Sequence, residues 1–496
     1  MERDPPTSLT TRTVLRMDPP PERETWGQAR ARWFRTKSVE EFADDARKSG
    51  LSKTLSAFDL TILGLGAIIG AGIFALVGVA AGRAGPGVSL SFVIAGFACA
   101  LAALCYAEFS SMVPVAGSAY TYTYASLGEI VAWMVGWNLV LEYAVGNIAV
   151  AVAWSAHLDE ILHAFGSDIP HQFLHPPPEG VFNLPAMLIV LAVMFILLRG
   201  AKESARATLL FVGVKVFVLL AAITLGAFLV NPENFDPFLP FGAFGAVAGA
   251  ALIFFAFIGF DAVSTAAEET KNPSRDVPIG ILASLGICTA LYLLVALVTI
   301  GLVGWEPIAD HGAAVAHAFA LRGEPWMSLV IAMGGIIGIT SVLLVFQFGM
   351  PRIFFSMGRD GLLPERVTKV HSVTRVPYVT TIAGSVLVAL FAGFTPIHSA
   401  AELTNIGTLF AFVIVCAGVI VLRYRAPLAR RPFRIPGGIA VPVVGILVLG
   451  GLMLALPTVT WIRFVAWCGV GLMIYGFYGA RAGRRRPARE FVVVDR

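Results

Sequence analysis

The sequence predicts an all-α integral membrane protein with twelve transmembrane helices. Hydrophobic residues make up 57% of the 496-residue chain and charged residues only 14%, whereas an ordinary soluble domain carries about 25% charged residues. Apolar runs of about 20 residues, each long enough to cross a bilayer, recur along most of the chain. The uneven distribution of basic residues is the third observation. Together these features exclude a soluble globular enzyme.

The apolar runs define twelve candidate membrane-spanning segments, which we number 1 to 12. They cover residues 57–82, 88–112, 128–156, 183–199, 206–230, 243–267, 278–304, 326–350, 377–394, 402–423, 438–456 and 460–480. These segments divide the chain into four expected regions. The regions are a tail over 1–50 with a short surface helix over 36–50, a ten-helix core over 51–425, segments 11 and 12 within 426–480, and a basic tail over 481–496.

The Lys and Arg residues predict the orientation, because cytoplasmic loops retain positive charge. All but four of the 36 basic residues fall in the tails or in alternate loops that share one side. The exceptions are Arg83, Arg322 and Arg463 on the other side and Lys215 inside segment 5. We therefore expect cytoplasmic termini and a multi-pass protein of the plasma membrane, which is the inner membrane in a bacterium. The basic residues anchor this topology in the lipid bilayer and give no reason to expect a nucleic-acid partner.

Segment 1 contains the stretch "GLGAIIGAGIFALVG" (64–78), whose glycines disfavour a regular helix. Their spacing lacks the strand–turn–helix context of a dinucleotide-binding loop, so that interpretation is rejected. Two interpretations remain open for this segment taken alone. The glycines can allow close packing of membrane helices, or they can mark a broken helix whose freed backbone groups bind a ligand.

Segment 6 contains a second interruption, "FFAFIGFD", which ends in a carboxylate. Broken helices at corresponding positions in two halves of a chain indicate the binding site of a transporter. Interruptions in segments 1 and 6 therefore predict a five-plus-five inverted repeat with discontinuous helices 1 and 6. The residues expected to support the breaks are Gly66, Gly70, Gly259 and Asp261. Capping of the second half-helix is the alternative role for Asp261.

These stretches resemble the amino acid–polyamine–organocation (APC) superfamily of secondary transporters. The matching motifs are "GAIIGAGIF" in segment 1, "FFAFIGFDAVSTAAEETKNPSRDVP" in segment 6, and "LCYAEFSSMVPVAGSAYTYTY", "MPRIFFSMGRDGLLP", "IGTLFAFVIVCAGVIVLR" and "RRPFRIPGG" elsewhere. The resemblance covers about residues 36–480 and is to the branch of the cationic amino acid transporters, with twelve segments as in its bacterial members. It implies a LeuT-like fold with the substrate held between the two breaks.

An amino acid substrate needs partners for its carboxylate and its ammonium group. The positive end of the second half of segment 1 suits a carboxylate, and the residues there are Ala71, Gly72 and Ile73. The resemblance implies that main-chain carbonyls accept the ammonium group, namely those of Ile68, Phe255, Ala256 and Ile258. It also makes Phe255 an aromatic gate that closes over the ligand, whereas lipid-facing packing is its alternative. Phe257 and Phe260 are weaker candidates that can simply pack.

Lys215 lies about 10 residues into segment 5, where a charged side chain is costly and typically functional. The resemblance places it where sodium-coupled relatives bind sodium against segment 1. Its ammonium would then replace sodium, donate to the carbonyls near Gly66–Ile69 and exchange a proton during transport. We therefore expect proton coupling and no sodium requirement. Snorkelling toward the cytoplasmic interface is the alternative.

Other polar residues within the segments are candidates for secondary roles. Glu142 in segment 3 is either a second proton site or the partner of a polar group on another helix. Glu108 is expected to be structural. Four further residues are expected to face either the pocket or a neighbouring helix: Thr340, Ser341, Asn405 and Thr408. The histidines of the loop over 157–182 lack a helical ligand pattern, so neither a metal site nor a cofactor is expected.

The predicted function is secondary active transport of L-amino acids by alternating access. Segments 3, 4, 8 and 9 would form a scaffold and segments 1, 2, 6 and 7 a moving bundle. The apolar pocket favours small or neutral substrates such as alanine over cationic ones, because no carboxylate can be placed firmly near the side-chain end. An amino acid or polyamine exchanger is the main alternative, and a non-transporting sensor is another. No nucleotide loop, zinc-protease motif or nucleophile elbow points to an enzyme.

Overall fold

The structure is a computed structural model that describes residues 33, 36, 53–112, 118–167, 169–199, 205–364 and 377–479. Within these ranges it consists of helices, turns and irregular connections, without a strand. The basic tail over 481–496 lies outside the described residues. The predicted surface helix over 36–50 also lies outside them, except for residue 36.

Eight helices among the described residues are long and apolar enough to cross a membrane. They are Leu76–Met112, Glu129–Ala164, Leu209–Ala227, Gly242–Thr265, Pro273–Val303, Pro325–Gly358, Ile397–Arg425 and Thr458–Phe477. Four shorter apolar helices are Ala57–Ile68, Leu184–Leu198, Tyr378–Phe394 and Ala440–Leu454. The prediction of an all-helical, multi-pass membrane protein is therefore confirmed, while the count of twelve crossings stays a prediction.

Local geometry divides several of these stretches further. In chain order the α-helices are Ala57–Ile68, Ala71–Phe74, Leu76–Ala84, Val88–Met112, Ser118–Ser126, Glu129–Ala164, Leu184–Leu198, Ala205–Ala227, Gly242–Ile253, Ala262–Thr265, Pro273–Val303, Ala314–Leu321, Pro325–Arg359, Tyr378–Phe394, Ile397–Arg425, Ala440–Leu454 and Thr458–Ile474. Segments 1 and 6 are the two that split into short helices.

Helix ends depart from the predicted segments where polar residues continue a helix. The helix of segment 3 runs on to Ala164 through His157 and Glu160, because helical hydrogen bonds do not require an apolar sequence once the chain leaves the bilayer. The helix of segment 8 likewise reaches Arg359 with Pro351 inside it. A hydropathy pattern identifies the apolar part of a helix and does not reveal such polar extensions.

Helices that are far apart in the sequence pack against one another. Segment 8 lies along segment 3, and segment 9 packs against segment 4. Segment 7 lies along segments 1 and 2. Segment 10 packs on segment 3 and carries segment 11 on its other side.

The N-terminal end of segment 1 is joined to the C-terminal end of segment 6 by main-chain hydrogen bonds. Leu55 and Thr270 form an isolated parallel β-bridge. The N–H groups of Thr54 and Leu55 donate to Glu269 O at 2.9 and 3.0 Å, and the Lys271 N–H donates to Leu55 O at 2.9 Å. The two broken segments are therefore fastened together at the face predicted to be cytoplasmic.

Candidate functional site

The break in segment 1 lies at Ile69 and Gly70. The first helix ends at Ile68, Ile69 is extended (φ −73°, ψ 104°), and the next helix begins at Ala71. A helix leaves its last four carbonyls without intrahelical donors. Three carbonyls here, those of Gly66, Ile68 and Ile69, receive donors from side chains of other segments. Gly66 thus lies inside the regular helix and contributes its carbonyl.

The break in segment 6 begins with a 3₁₀ turn over Phe254–Phe257 after the helix that ends at Ile253. Ile258 is extended (φ −60°, ψ 136°). Gly259 follows with φ 118°, a conformation that residues with a Cβ rarely adopt. Asp261 then precedes the short helix Ala262–Thr265.

The two breaks touch each other. A Cβ on Gly72 would lie 2.2 Å from the Cα of Ala256, and one on Gly259 would lie 2.8 Å from the carbonyl oxygen of Ala67. Glycine is thus the only residue that allows this approach without displacing the backbone. The structure brings the candidate binding residues of both segments to one place, although their roles in binding stay predictions.

These candidate binding residues are buried, so the place between the breaks is closed in this structure. Phe255 has an exposed fraction of 5%, and the other residues have smaller ones: Ile68, Ala71, Ile73, Ala256 and Ile258. The Ile73 N–H donates to Gly70 O at 3.3 Å. This bond engages one of the three N–H groups expected to hold a carboxylate.

Lys215 is fully buried, and its ammonium group contacts the broken part of segment 1. Its Nζ donates to Gly66 O and to Ile69 O, each at 2.8 Å. Its stem packs beside Gly338 of segment 8. This side chain therefore reaches into the core and does not snorkel toward an interface.

Tyr292 in segment 7 is a neighbour of the site that the sequence did not reveal. Its hydroxyl donates to Ile68 O at 2.8 Å, which is one of the carbonyls expected to accept the substrate ammonium. A carbonyl has two lone pairs, so a second donor can still bind there. The ring packs against Phe92 and Phe257. A tyrosine in an apolar run carries no pattern that distinguishes this role from packing.

Asn405 in segment 10 plays the corresponding structural part at segment 6. Its Nδ2 donates to Ala251 O at 2.8 Å and to Leu252 O at 2.9 Å, both near the end of the helix before the break. Of the two positions considered for Asn405, the structure places it against the neighbouring helix. Thr340 likewise meets a neighbouring helix, because it accepts the Trp154 Nε1–H at 3.0 Å. The Thr408 hydroxyl donates to Thr404 O within its own helix.

The aromatic residues of segment 6 differ in their surroundings. Phe254 and Phe260 both pack against Phe412 of segment 10, and Phe257 packs against segments 2 and 7. Phe257 and Phe260 therefore pack in the core. Phe255 is buried, and the gate role remains a prediction.

Glu142 and Asp261 lie together at a second position, separate from Lys215. Both are buried, and Glu142 lies close to Asp261 and to the Thr408 side chain. Asp261 Oδ2 accepts the Ser118 hydroxyl at 3.2 Å. Glu142 Oε2 has no hydrogen-bond partner among the described residues. The Lys215 side chain thus faces segment 1, whereas Glu142 faces segments 6 and 10.

Polar contacts close the protein on both sides of the breaks. On the side predicted to face outward, Arg83, directly after segment 1, pairs with Glu402 of segment 10 at 3.3 Å, and Glu402 also accepts the Thr460 hydroxyl at 3.0 Å. On the opposite side, the Tyr120 hydroxyl donates to Asp360 at 2.8 Å. These contacts join different segments on each side of the breaks.

Glu108 anchors the loop between segments 10 and 11. Its carboxylate pairs with Arg423, lies 3.5 Å from Arg431 and accepts the Ile435 N–H at 2.9 Å. Burial lowers the pKa of the Arg431 guanidinium, and the Glu108 charge opposes that shift. This arrangement fits the structural role expected for Glu108.

Comparison with known proteins places this architecture in a family. A family model described as "Amino acid permease" matches residues 55–476. The chain is 44% identical over 454 residues to the "Branched-chain amino acid permease BcaP" of Bacillus subtilis, an alignment that covers 90% of this chain and 98% of that protein.

Two further relatives carry different names. A "Methylthioribose transporter" of Bacillus subtilis is 42% identical over 452 residues, covering 90% of this chain and 98% of the relative. "Cationic amino acid transporter 4" of Mus musculus is 39% identical over 405 residues, covering 79% of this chain and 62% of the mouse protein. The relatives thus agree on transport and differ in the substrate that their names state.

Proposed function

The chain belongs to the amino acid permease family and is an amino acid transporter rather than an enzyme; on this premise, we propose that it takes up neutral aliphatic L-amino acids by proton-coupled alternating access. The substrate would lie between the breaks of segments 1 and 6, where backbone groups meet its two charged groups. The carboxylate would bind at Ala71–Ile73, and carbonyls of both breaks would accept the ammonium group.

The buried Lys215 is the single observation that carries the coupling proposal. Its ammonium donates to two carbonyls of segment 1 at 2.8 Å each. A fixed cation against unwound backbone supplies the charge that a bound sodium ion would otherwise supply. A lysine can also release its proton, and the two carbonyls would then lose a charged donor. Proton transfer would thereby change how firmly segment 1 is held, without a need for sodium.

The proposal also includes the membrane topology. Twelve crossings would place both termini in the cytoplasm, which the positions of the basic residues favour. Segments 1–5 and 6–10 would form the inverted repeat. The paired breaks support it, and so does the fact that segment 5 caps segment 1 while segment 10 caps segment 6. The protein would reside in the plasma membrane, which is the inner membrane in a bacterium.

The choice of neutral substrates rests on the side chains that surround the breaks. Ile68, Ile73, Phe255 and Ile258 are apolar and buried, and they would contact the side chain of the substrate. The branched-chain permease with 98% of its length aligned supports this class. Cationic substrates would need a carboxylate at the end of the pocket, and Asp261 is already engaged with Ser118.

Methylthioribose is a second candidate substrate, because one relative of 42% identity is named for its transport. This thiosugar has neither an ammonium group nor a carboxylate. The carbonyls and N–H groups at the breaks would then face hydroxyl groups instead. Competition between leucine and methylthioribose in one uptake assay distinguishes the two candidate substrates.

The test is uptake of radiolabelled L-leucine into sodium-free proteoliposomes whose interior is alkaline. We expect accumulation that collapses when an ionophore dissipates the proton gradient. Unlabelled alanine and valine should compete, whereas arginine, lysine and methylthioribose should not. A requirement for sodium would contradict the coupling proposal, and competition by arginine or methylthioribose alone would contradict the substrate class.

The same vesicles also distinguish net uptake from exchange. Uptake that occurs only after the vesicles are preloaded with an amino acid would identify an exchanger and remove the coupling role of Lys215. A protein that binds leucine but neither accumulates nor exchanges it would be a sensor.

A further inference from the structure

We propose that Glu160, His311 and His317 form a zinc-class cation site that joins segment 3 to the loop between segments 7 and 8. Glu160 lies on the polar end of the segment 3 helix, His311 in the loop after residue 303, and His317 on the helix Ala314–Leu321. All three lie on the side that the basic residues predict to face outward. Among the described residues, no other group of three His, Cys, Asp or Glu side chains is as closely placed.

The distances between donor atoms suit a small transition-metal ion. Glu160 Oε1 lies 3.0 Å from His317 Nδ1 and 3.5 Å from His311 Nε2, and all three atoms lie within 4.8 Å of one another. Zinc binds such atoms at about 2.0–2.2 Å in a tetrahedron, which places its ligand atoms about 3.3–3.5 Å apart. The rings of His311 and His317 stack with their centroids 3.9 Å apart and their planes 10° from parallel, so one imidazole must rotate before both nitrogens can face the same cation.

The chemical types of the three ligand atoms indicate which metal ions would bind. Two imidazoles and one carboxylate suit zinc and similar ions, whereas calcium and magnesium prefer oxygen ligands alone. Burial lowers the pKa of His311 to about 4. The side chains of His311 and His317 are 33% and 27% exposed. The site is thus open to a cation and to a water molecule as fourth ligand.

The tautomers set a limit on the affinity. His311 Nδ1 accepts the Ala313 N–H at 3.1 Å, so its Nε2 carries the proton when the ring is neutral. A cation at Nε2 requires the proton at Nδ1, and the Ala313 hydrogen bond is then lost. We therefore expect micromolar binding, weaker than at a structural zinc site.

The site spans elements that lie against different segments. The loop that carries His311 rests on segment 1, because the Asp310 N–H points to Gly78 O at 3.4 Å and a Cβ on Gly78 would lie 3.0 Å from His311 O. Glu160 belongs to segment 3 and lies one helical turn beyond His157, whose ring meets Phe74 edge-on. A bound cation would tie this loop, and with it segment 1, to segment 3.

The experiment is calorimetric titration of the purified full-length protein with zinc chloride at pH 7. We expect about one zinc ion per chain with a micromolar Kd and no heat from magnesium. His317→Asn keeps an amide nitrogen near the position of Nδ1, and Glu160→Gln keeps an oxygen in place. Each substitution should weaken zinc binding by about 10- to 100-fold. Removal of a residue that hydrogen-bonds a metal ligand already costs that much, so removal of a ligand itself should cost no less.

His175→Gln is the matched control. His175 also lies beside a carboxylate, Glu179, at 3.8 Å, and its ring centroid is 4.3 Å from that of His171 with the planes tilted by 33°, yet it lies outside the proposed site. Its replacement should leave the Kd unchanged. Thermal unfolding without zinc identifies any variant that does not fold, and His311→Gln then takes its place.

Absence of zinc binding up to 1 mM (about −4 kcal/mol) would overturn the site, as would equal affinity in the control and in the folded site variants. Zinc titration needs no transport. Its failure would therefore leave the proposed transport function standing.

Discussion

The breaks in segments 1 and 6 are held by side chains of different chemistry. In segment 1 the carbonyls of Gly66 and Ile69 receive the ammonium group of Lys215. In segment 6 the carbonyls of Ala251 and Leu252 receive the amide of Asn405. Each donor comes from the fifth segment of its half, so the geometry is similar while the chemistry is not.

Under the coupling proposal, the donor at segment 1 can change its charge and the donor at segment 6 cannot. A lysine has a charged and a neutral form, whereas an asparagine amide has no titration in the physiological range. Loss of the Lys215 proton would therefore alter the hold on segment 1, whereas the Asn405 donor would stay unchanged, and any proton effect at segment 6 would come from Asp261 or Glu142. We therefore expect proton coupling and substrate binding to depend on different breaks. The donor at segment 1 would change its charge during transport, whereas the donor at segment 6 would not. Three substitutions test this comparison.

Lys215→Met should have the largest effect. It removes both donors from Gly66 O and Ile69 O, and a hydrogen bond to a charged group contributes about 1.5–3 kcal/mol. Gradient-driven uptake of leucine should fall by at least about 100-fold. Uptake in proteoliposomes measures this, with thermal unfolding as the check on folding. Accumulation that still follows the proton gradient in this variant would disprove the coupling role.

Asn405→Leu should have an intermediate effect of about 10-fold on uptake. It leaves two buried carbonyls without their donor, and one such unmet group costs about 1–3 kcal/mol. Because the lost donor does not titrate, the remaining uptake should depend on external pH as in the unchanged protein. Initial rates measured between pH 5 and 8 test this. A shifted pH profile would end the distinction between the two breaks.

Tyr292→Phe should have the smallest effect. It removes one hydroxyl from Ile68 O and keeps the ring contacts with Phe92 and Phe257. A neutral hydrogen bond contributes about 0.5–1.5 kcal/mol, so the KM for leucine should change by about 2- to 10-fold. Tyr424→Phe, at an exposed side chain, is the control and should change nothing. A loss as large as that of Lys215→Met would show that Tyr292 takes part in coupling.

The sequence predicted the positions of the breaks because backbone irregularity has a local cause. Gly70 and Gly259 lie where the helices are interrupted, and a buried lysine in an apolar segment is rare enough to stand out. Hydropathy likewise predicted the membrane helices, and the motifs predicted the family, which is confirmed.

Contacts between distant segments were beyond the reach of the sequence. Tyr292 and Asn405 resemble many other polar residues in membrane helices, and only the packing of segments 7 and 10 shows which carbonyls they meet. The same holds for Glu160 and His317, whose positions differ by 157 residues along the chain. The histidines considered as metal ligands from the sequence were neighbours in one loop, whereas the closely placed group draws on two regions.

The β-bridge between Leu55 and Thr270 has a mechanical consequence. Three main-chain hydrogen bonds connect the two broken helices at one end, and each contributes about 1 kcal/mol. We therefore expect the two helices to move together at that end, because their separation would break all three bonds at a cost of about 3 kcal/mol. A fluorophore attached at Lys53, directly before the bridge, would therefore test whether the two ends move together.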